Sequence, residues 1–525
     1  MCLKLNLSLL IAITASTLSL SAWAGPCDTP PDTRFFSNGW GLDATSQRYQ
    51  ADTALHAGNA RELQLKWAWG LSTNRPRVFP LVSKDTLFIG DAENGLLALD
   101  SQTGCVRWKN TDIDDFSSAL AHGESDGRHL LITAGRMSGV QAVDAGTGET
   151  VWHVTITEDN PVPMYSGSPL VFEDKVFVPL SSMEIGLSAN PFYGCCTTSG
   201  GIAALDLATG KLLWHTRTIP DQPQVTGRHY LFVEEWGPSG APVWGGITLD
   251  AKRRQLYFGT GQNYSRPATA TSDAIMALHL DTGAVAWVMQ ATQDDAFNMA
   301  CTADVNHPNC PKPMGPDVDF GAPPILTQLS DGTDVVLAGQ KSGDVWAIKP
   351  DNGEVMWQTR IGRGGALGGI HWGMAVNPNQ QALFVPISDV PAIEGPGEPE
   401  PGMFAVDINT GKPLWSTPRP PECEGERCWN GLSAAITAAS DIIVAGSLDG
   451  LLEVYEAGSG DIVWSFDTLR DFDTVNNVPA HGGSFDAHGP LVAGNLLIVV
   501  SGYATFGQKP GNALLVFELP QGSLP

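Results

Sequence analysis

The sequence predicts an all-β fold, an eight-bladed β-propeller, and three observations predict it. A strand, turn, strand unit closed by Trp recurs seven times. The copies lie 41 to 73 residues apart, room for about four strands plus loops of variable length. The two ends of the chain each carry half of an eighth copy.

The unit is clearest at IAALDLATGKLLW, Ile202 to Trp214. Before it stand LLALDSQTGCVRW, ending at Trp108, and VQAVDAGTGETVW, ending at Trp152. After it come IMALHLDTGAVAW to Trp287, VWAIKPDNGEVMW to Trp357, MFAVDINTGKPLW to Trp415 and LEVYEAGSGDIVW to Trp464. LQLKWAWG holds only the closing half, at Trp67, and ALLVFELP, Ala513 to Pro520, only the opening half. Each copy runs small and apolar for about five residues, as a strand does, then meets a polar turn ending in Gly. Glycine supplies the positive φ of a tight hairpin, and Asp and Thr hydrogen-bond its backbone. The Trp follows at fixed spacing, so it reaches one face in every copy and packs between neighbouring sheets. The split copy favours a ring, closed by the N-terminal strand, over an open solenoid, and closure protects sheet edges.

The repeat spans Trp67 to Glu518 without a linker, so one domain is expected at 67–520, with an arm at 25–66 and a tail at 521–525. Residues 1–24 read as a secretory signal, with the apolar run LSLLIAITASTLSLSA and cleavage after Ala24, which implies a periplasmic or secreted protein. No later stretch reaches membrane-spanning length. Nine cysteines become eight once Cys2 leaves, and an even number in an exported chain favours disulfides. Spacing alone does not fix their connectivity. Cys301 with Cys310 and Cys423 with Cys428 are local candidates, and Cys27 with Cys105 would tie the arm to a blade. Cys195 and Cys196 are adjacent: they pair elsewhere, lie free, or close an eight-membered ring. No CxxCH motif for attached haem occurs, and a net charge of −26 argues against nucleic acid and anionic membranes as partners.

The long insertions fall in the units ending at Trp214, Trp287, Trp357 and Trp415, and long loops on a rigid scaffold are where function usually sits. In order they carry SSMEIGLSANPFYGCC, GAPVWGGITLD, GTGQNYSRPATATSDA, QATQDDAF, GPDVDFGAPPIL, AGQKSGDVWAI and LGGIHWGMAVN; PAHGGSFDAHGP follows later. Taken with NGWGLDATSQRYQ near the N-terminus and GGSFDAHGPLVAGNLLIVVSGY near the end, these resemble the pyrroloquinoline quinone (PQQ)-dependent alcohol dehydrogenase superfamily, in its polyvinyl alcohol dehydrogenase branch. The resemblance covers nearly the whole mature chain.

It implies PQQ and calcium as cofactors, with Glu184 and either Gln262 or Asn263 as metal ligands, since calcium takes oxygen donors. The Cys195–Cys196 pair, as a vicinal ring, would lie against the quinone, Trp244 would form the floor beneath it, and Lys341 would bond its oxygens. Trp372 and Gly483 match segments facing the central channel. Asp273 is the expected base, with Asp294, Asp295, Asp317 and Asp319 competing, and His371 and His481 read as ordinary loop histidines. DDFSSALA shows Ser117 and Ser118 where relatives tend to carry an Arg for the cofactor carboxylates. The implied activity is oxidation of a secondary alcohol, with polyvinyl alcohol the suggested substrate and a separate periplasmic cytochrome c the acceptor. The alternative is a non-catalytic periplasmic binding or assembly scaffold. A glycoside hydrolase would need a singled-out carboxylate pair, and a nicotinamide enzyme a βαβ unit with its glycine fingerprint; the sequence offers neither.

Overall fold

A computed structural model describes residues 27–520 apart from 28, 113, 422 and 425–427, so the expected signal and tail lie outside the described residues. Among the described residues eight antiparallel blades form a propeller. Seven are continuous in sequence: 81–110, 121–154, 170–217, 248–290, 325–360, 375–418 and 437–467. The eighth takes Leu491–Ala493, Leu496–Ser501 and Ala513–Glu518 from the C-terminus and Gln64–Gly70 from the N-terminus, with Trp67 opposite Val516.

Blade 3 shows how the repeat folds. Gly201–Asp206 is buried through Leu205 because neighbouring blades cover both its faces, which explains its unbroken small and apolar run. It pairs with Leu212–Arg217, Ala204 opposite Trp214, across the hairpin expected from the Thr-Gly turn. Asp206 Oδ1 caps that turn, accepting from the Thr209 amide at 2.9 Å and hydroxyl at 2.6 Å.

The Trp and Gly of the repeat meet across blade boundaries. Trp152 in blade 2 donates its indole N–H to the Leu207 carbonyl in blade 3 at 2.8 Å and lies against Gly210, where a Cβ would come within 2.6 Å of the ring. Gly210 has φ +71°, so backbone and neighbour both demand glycine. Trp108 bonds Ala145 and abuts Gly148, and Trp287 bonds Pro350 and abuts Gly353. Trp67 reaches from the split blade to Ser101 in blade 1 at 3.1 Å. Trp464 faces the blade that lacks a Thr-Gly turn and packs edge-on against Phe517 instead, centroids 5.5 Å apart.

The apolar core is accordingly divided among blade interfaces: Leu205 with Val178 and Ile132 between blades 2 and 3, Val345 with Val385 and Leu383 between blades 5 and 6. The N-terminal arm ties successive blades together. Asn38 bonds the His122 carbonyl, Gln47 that of Leu326, and Val376 donates to Gln47, so NGWGLDATSQRYQ touches blades 2, 5 and 6. Arg48, fully buried, donates to the carbonyls of Trp40, Ile436, His488 and Pro490 and to Thr437. Disulfides join Cys27 to Cys105, Cys195 to Cys196, Cys301 to Cys310 and Cys423 to Cys428. No helix among the described residues is long and apolar enough to cross a membrane.

Candidate active site

The long insertions converge on a cavity of about 910 Å³ bordered by residues of many blades. Trp244, Gln262 and Tyr264 come from the segments around the first strands of blade 4, Asp317, Asp319 and Lys341 from blade 5, and His371 and Trp372 from the entry to blade 6. Trp244 forms the centre of a polar floor. Its indole N–H donates to Asp319 Oδ2 at 2.9 Å, and Lys341 Nζ stands 5.7 Å from its ring centroid. Trp372 meets the same ring edge-on at 5.0 Å.

Lys341 donates to Asp317 at 3.0 Å and to Asp319 at 3.4 Å. Burial works against its charge, but these two carboxylates outweigh that and its pKa is raised. Asp319 also accepts from the Gln262 backbone N–H at 2.9 Å. With the Gln262 amide turned so that its nitrogen faces Asp319, that nitrogen donates at 2.6 and 3.2 Å and the amide oxygen is left for another partner. Asp295 holds the turn beneath, accepting from the Val318 and Asp317 amides.

Asp273 lies behind this floor and not on the cavity. It is fully buried, and neither carboxyl oxygen has a hydrogen-bond partner. Burial, then Asp295, Asp319 and Asp317, push its pKa well above the usual carboxylate range. A substrate in the cavity meets Asp317 and Asp319 instead. Asp294 is exposed on the outer loop, its side chain near Arg266.

Glu184 opens a short turn, Glu184–Leu187, whose Ile185 reaches the cavity wall. Its buried carboxylate accepts from the Tyr193 hydroxyl and from the amide and hydroxyl groups of Thr197 and Thr198. It thereby fixes the chain directly after the Cys195–Cys196 ring, which packs on Tyr264 and Ile185, one layer behind the cavity surface. Asn263 is also buried and used locally, donating to the Ser239 carbonyl and accepting from the Thr269 amide at 2.8 Å. Gly483 packs against Lys509 and Pro510, while His481 is exposed and bonds Asp471 at 2.8 Å.

Three arginines on the wall were absent from the sequence expectation, Arg75, Arg77 and Arg136, and the last two are electrostatic neighbours. Arg136 has its pKa lowered by burial and by the neighbouring Arg77, the mark of positive charge without full compensation. A signal for it existed. AGRMSGV of blade 2 and AGQKSGD of blade 5 are the same inter-strand turn of the repeat, and both turns reach the cavity. Ser117, in the stretch that lacks the expected Arg, donates to the Tyr165 carbonyl at 2.7 Å.

The fold and its aromatic-floored cavity define a quinoprotein-type propeller. A quinohemoprotein alcohol dehydrogenase, ADHIIG from Pseudomonas putida HK5, superposes with a TM-score of 0.69 at 18% identity, covering 93% of this chain and 80% of that one. A family described as glucose/ethanol/alcohol dehydrogenase β-propeller domain matches residues 156–361, and one described as outer membrane protein assembly factor BamB matches 52–238 and 402–518. A polyvinylalcohol dehydrogenase from a Pseudomonas species is 34% identical over 92% of this chain and 76% of its own length, and one from Sphingopyxis sp. (strain 113P3) is 33% identical over 90% and 73%. The chain belongs to the PQQ-dependent alcohol dehydrogenase superfamily, and it is an enzyme. The BamB-described match omits 239–401, the stretch that supplies Trp244, Gln262, Asp317, Asp319, Lys341 and His371, so the non-catalytic reading is not favoured.

The cofactors of this family, PQQ with a calcium or lanthanide ion, fit the residues present. The flat indole suits a planar ring, and the undercompensated Arg77 and Arg136 suit carboxylates. For the ion, the acidic groups on and behind the floor, Asp273, Asp295, Asp317 and Asp319, offer oxygen donors around one buried cation, Lys341. That imbalance, with two bare oxygens on Asp273, suits a hard cation nearby. Among the described residues no three His, Cys, Asp or Glu side chains gather at metal-binding distance.

Proposed function

We propose that the chain oxidises secondary alcohols, polyvinyl alcohol among them, in the axial cavity, and passes the electrons to a separate periplasmic cytochrome c. One observation carries the reading: the bonded set of Trp244, Asp319 and Lys341 on the cavity floor, facing a wall with Arg77 and Arg136. The 34% identity to a polyvinylalcohol dehydrogenase supports the choice of substrate.

When bound, PQQ with its metal ion supplies an electrophilic centre that takes hydride from the carbinol carbon. The protein's part is binding, orientation and proton handling. Trp244 offers the stacking face, with Trp372 across its edge and the Cys195–Cys196 ring stiffening the Tyr264 side. Arg77 and Arg136 would hold the cofactor's carboxylates and Lys341 would bond its oxygens. Gln262 would hold the ion through its amide oxygen, and Glu184 and Asn263 would serve as further ligands by giving up a donor they now bond. Gly483 supports the channel loop from behind. Asp319, kept in place by Trp244, Gln262 and Lys341, accepts the alcohol proton, and the buried Asp273 sets the potential beneath it.

The test is titration of purified, metal-stripped protein with PQQ, with and without calcium, followed by dye reduction with secondary alcohols and polyvinyl alcohol. Calcium-dependent binding with turnover is expected; absence of PQQ binding under every metal condition overturns the reading.

A further inference from the structure

A second hydrogen-bonded chain leads away from the cavity. His371 lines it, and its Nδ1 lies 2.8 Å from Ser433 Oγ. Ser433 in turn donates to Asp486 Oδ1 at 2.7 Å. Asp486 also accepts from the Ala487 amide at 2.8 Å and from Gln508 Nε2 at 2.6 Å. The three residues sit on loops entering blades 6, 7 and 8, so three insertions build one buried path.

The donor inventory fixes the direction of this chain. An ionised Asp486 only accepts, so Ser433 must give it its single O–H proton. Ser433 Oγ must then accept from His371 Nδ1–H. The imidazole is therefore the tautomer whose Nε2 lone pair is free, and among the described residues no protein group bonds Nε2. Burial, then Lys341, hold the His371 pKa well below its ordinary value, which opposes a standing charge on the ring, so a proton reaching Nε2 is passed on through Nδ1.

Alcohol oxidation makes a demand that this chain answers, on the reading proposed above. Converting one alcohol to its carbonyl removes two electrons and two protons. The electrons leave with the separate acceptor, and each of the two protons needs a group of the protein to receive it. Asp319 handles one. We propose that His371, backed by Ser433 and Asp486, is the site's second proton-transfer group and carries the other. A proton delivered to Nε2 forms one N–H bond and releases the Nδ1 proton to Ser433 Oγ, while Ser433 passes its own to Asp486. The imidazole ends neutral in the opposite tautomer, and one carboxylate ends as a carboxylic acid. Burial raises the Asp486 pKa to about 6, close enough to neutral for the carboxyl to take and return a proton.

The first measurement needs no cofactor: nitrogen-15 NMR of histidine-labelled, cofactor-free protein. The His371 ring protonated at Nδ1 and bare at Nε2 is expected, and loss of that tautomer preference in Ser433→Ala assigns it to the chain. A ring protonated at Nε2 overturns the proposal. In the PQQ-loaded enzyme, Ser433→Ala and His371→Gln each lower kcat on the order of ten- to a hundredfold with KM unchanged, and the double variant is no worse than either. Losses that multiply, or that fall on KM alone, overturn it. Failure of PQQ to bind removes the alcohol reading, while the tautomer experiment still decides whether His371 presents an acceptor.

Discussion

The indole N–H of Trp244 donates to Asp319 at 2.9 Å, so the flat floor of the cavity and the acid beside it form one unit. Substitutions that separate the two distinguish binding from chemistry. Asp319→Asn keeps the side-chain size and an oxygen for the indole bond but removes the basic carboxylate. It is expected to lower kcat about 100- to 10,000-fold while PQQ affinity, followed by quenching of tryptophan fluorescence, stays within a few fold. Trp244→Ala reverses the pattern, losing PQQ affinity first.

Arg77 and Arg136 share a wall, and the lowered pKa of Arg136 reflects burial and that neighbour. If they meet the carboxylates of PQQ, Arg136→Met weakens PQQ binding by about tenfold or more and flattens its dependence on ionic strength. Calorimetric titration at two salt concentrations reads both effects. Unchanged affinity at both would remove Arg136 from the cofactor site.

Gly210 carries the seam between blades 2 and 3. Its φ of +71° is unfavourable for a side chain, and a Cβ would come within 2.6 Å of Trp152. Gly210→Ala is expected to destabilise the protein by about 2 to 4 kcal/mol in urea unfolding. Gly458→Ala, with open space at the Cβ position, is expected to stay within about 0.5 kcal/mol.

Asp486 predicts a pH signature of stability. Its folded pKa of about 6 lies above the unfolded value of 3.8, because burial disfavours the charge more than its hydrogen bonds restore it. Between those values the folded state holds more protons than the unfolded state, so this group's contribution falls as pH rises through that window. Asp486→Asn removes the slope. The wild type should lose on the order of 3 kcal/mol relative to the variant between pH 4 and pH 7, measured as the difference in urea unfolding free energies.

The repeat was legible because each blade must satisfy the same local rules: a strand buried on both faces, a glycine turn and a tryptophan at fixed spacing. The seam contact was half legible: the Trp was expected between neighbouring sheets, but its partner, the turn Gly of the next copy, comes into place only through the angle between blades. Trp244, Gln262 and Lys341 were singled out by the resemblance of the segments that carry them, and all three line the cavity. Asp273 was harder to place: its side chain points behind the floor, which no spacing reveals. Arg136 stands inside a repeat turn, where nothing in the spacing marks it off. The link from His371 through Ser433 to Asp486 joins residues 53 and 62 positions apart through loops of three blades, a coincidence that only folding creates.

The split blade also couples closure of the ring to the site. Ala513–Glu518 lies between Leu496–Ser501 and Gln64–Gly70, so the sheet that shuts the ring joins strands from opposite ends of the repeat. The cavity walls include Leu71, just past one of these strands, and Tyr503, just past another, so pairing them brings two sides of the cavity together. A chain lacking either part of the sheet is expected to fold blades without completing the site.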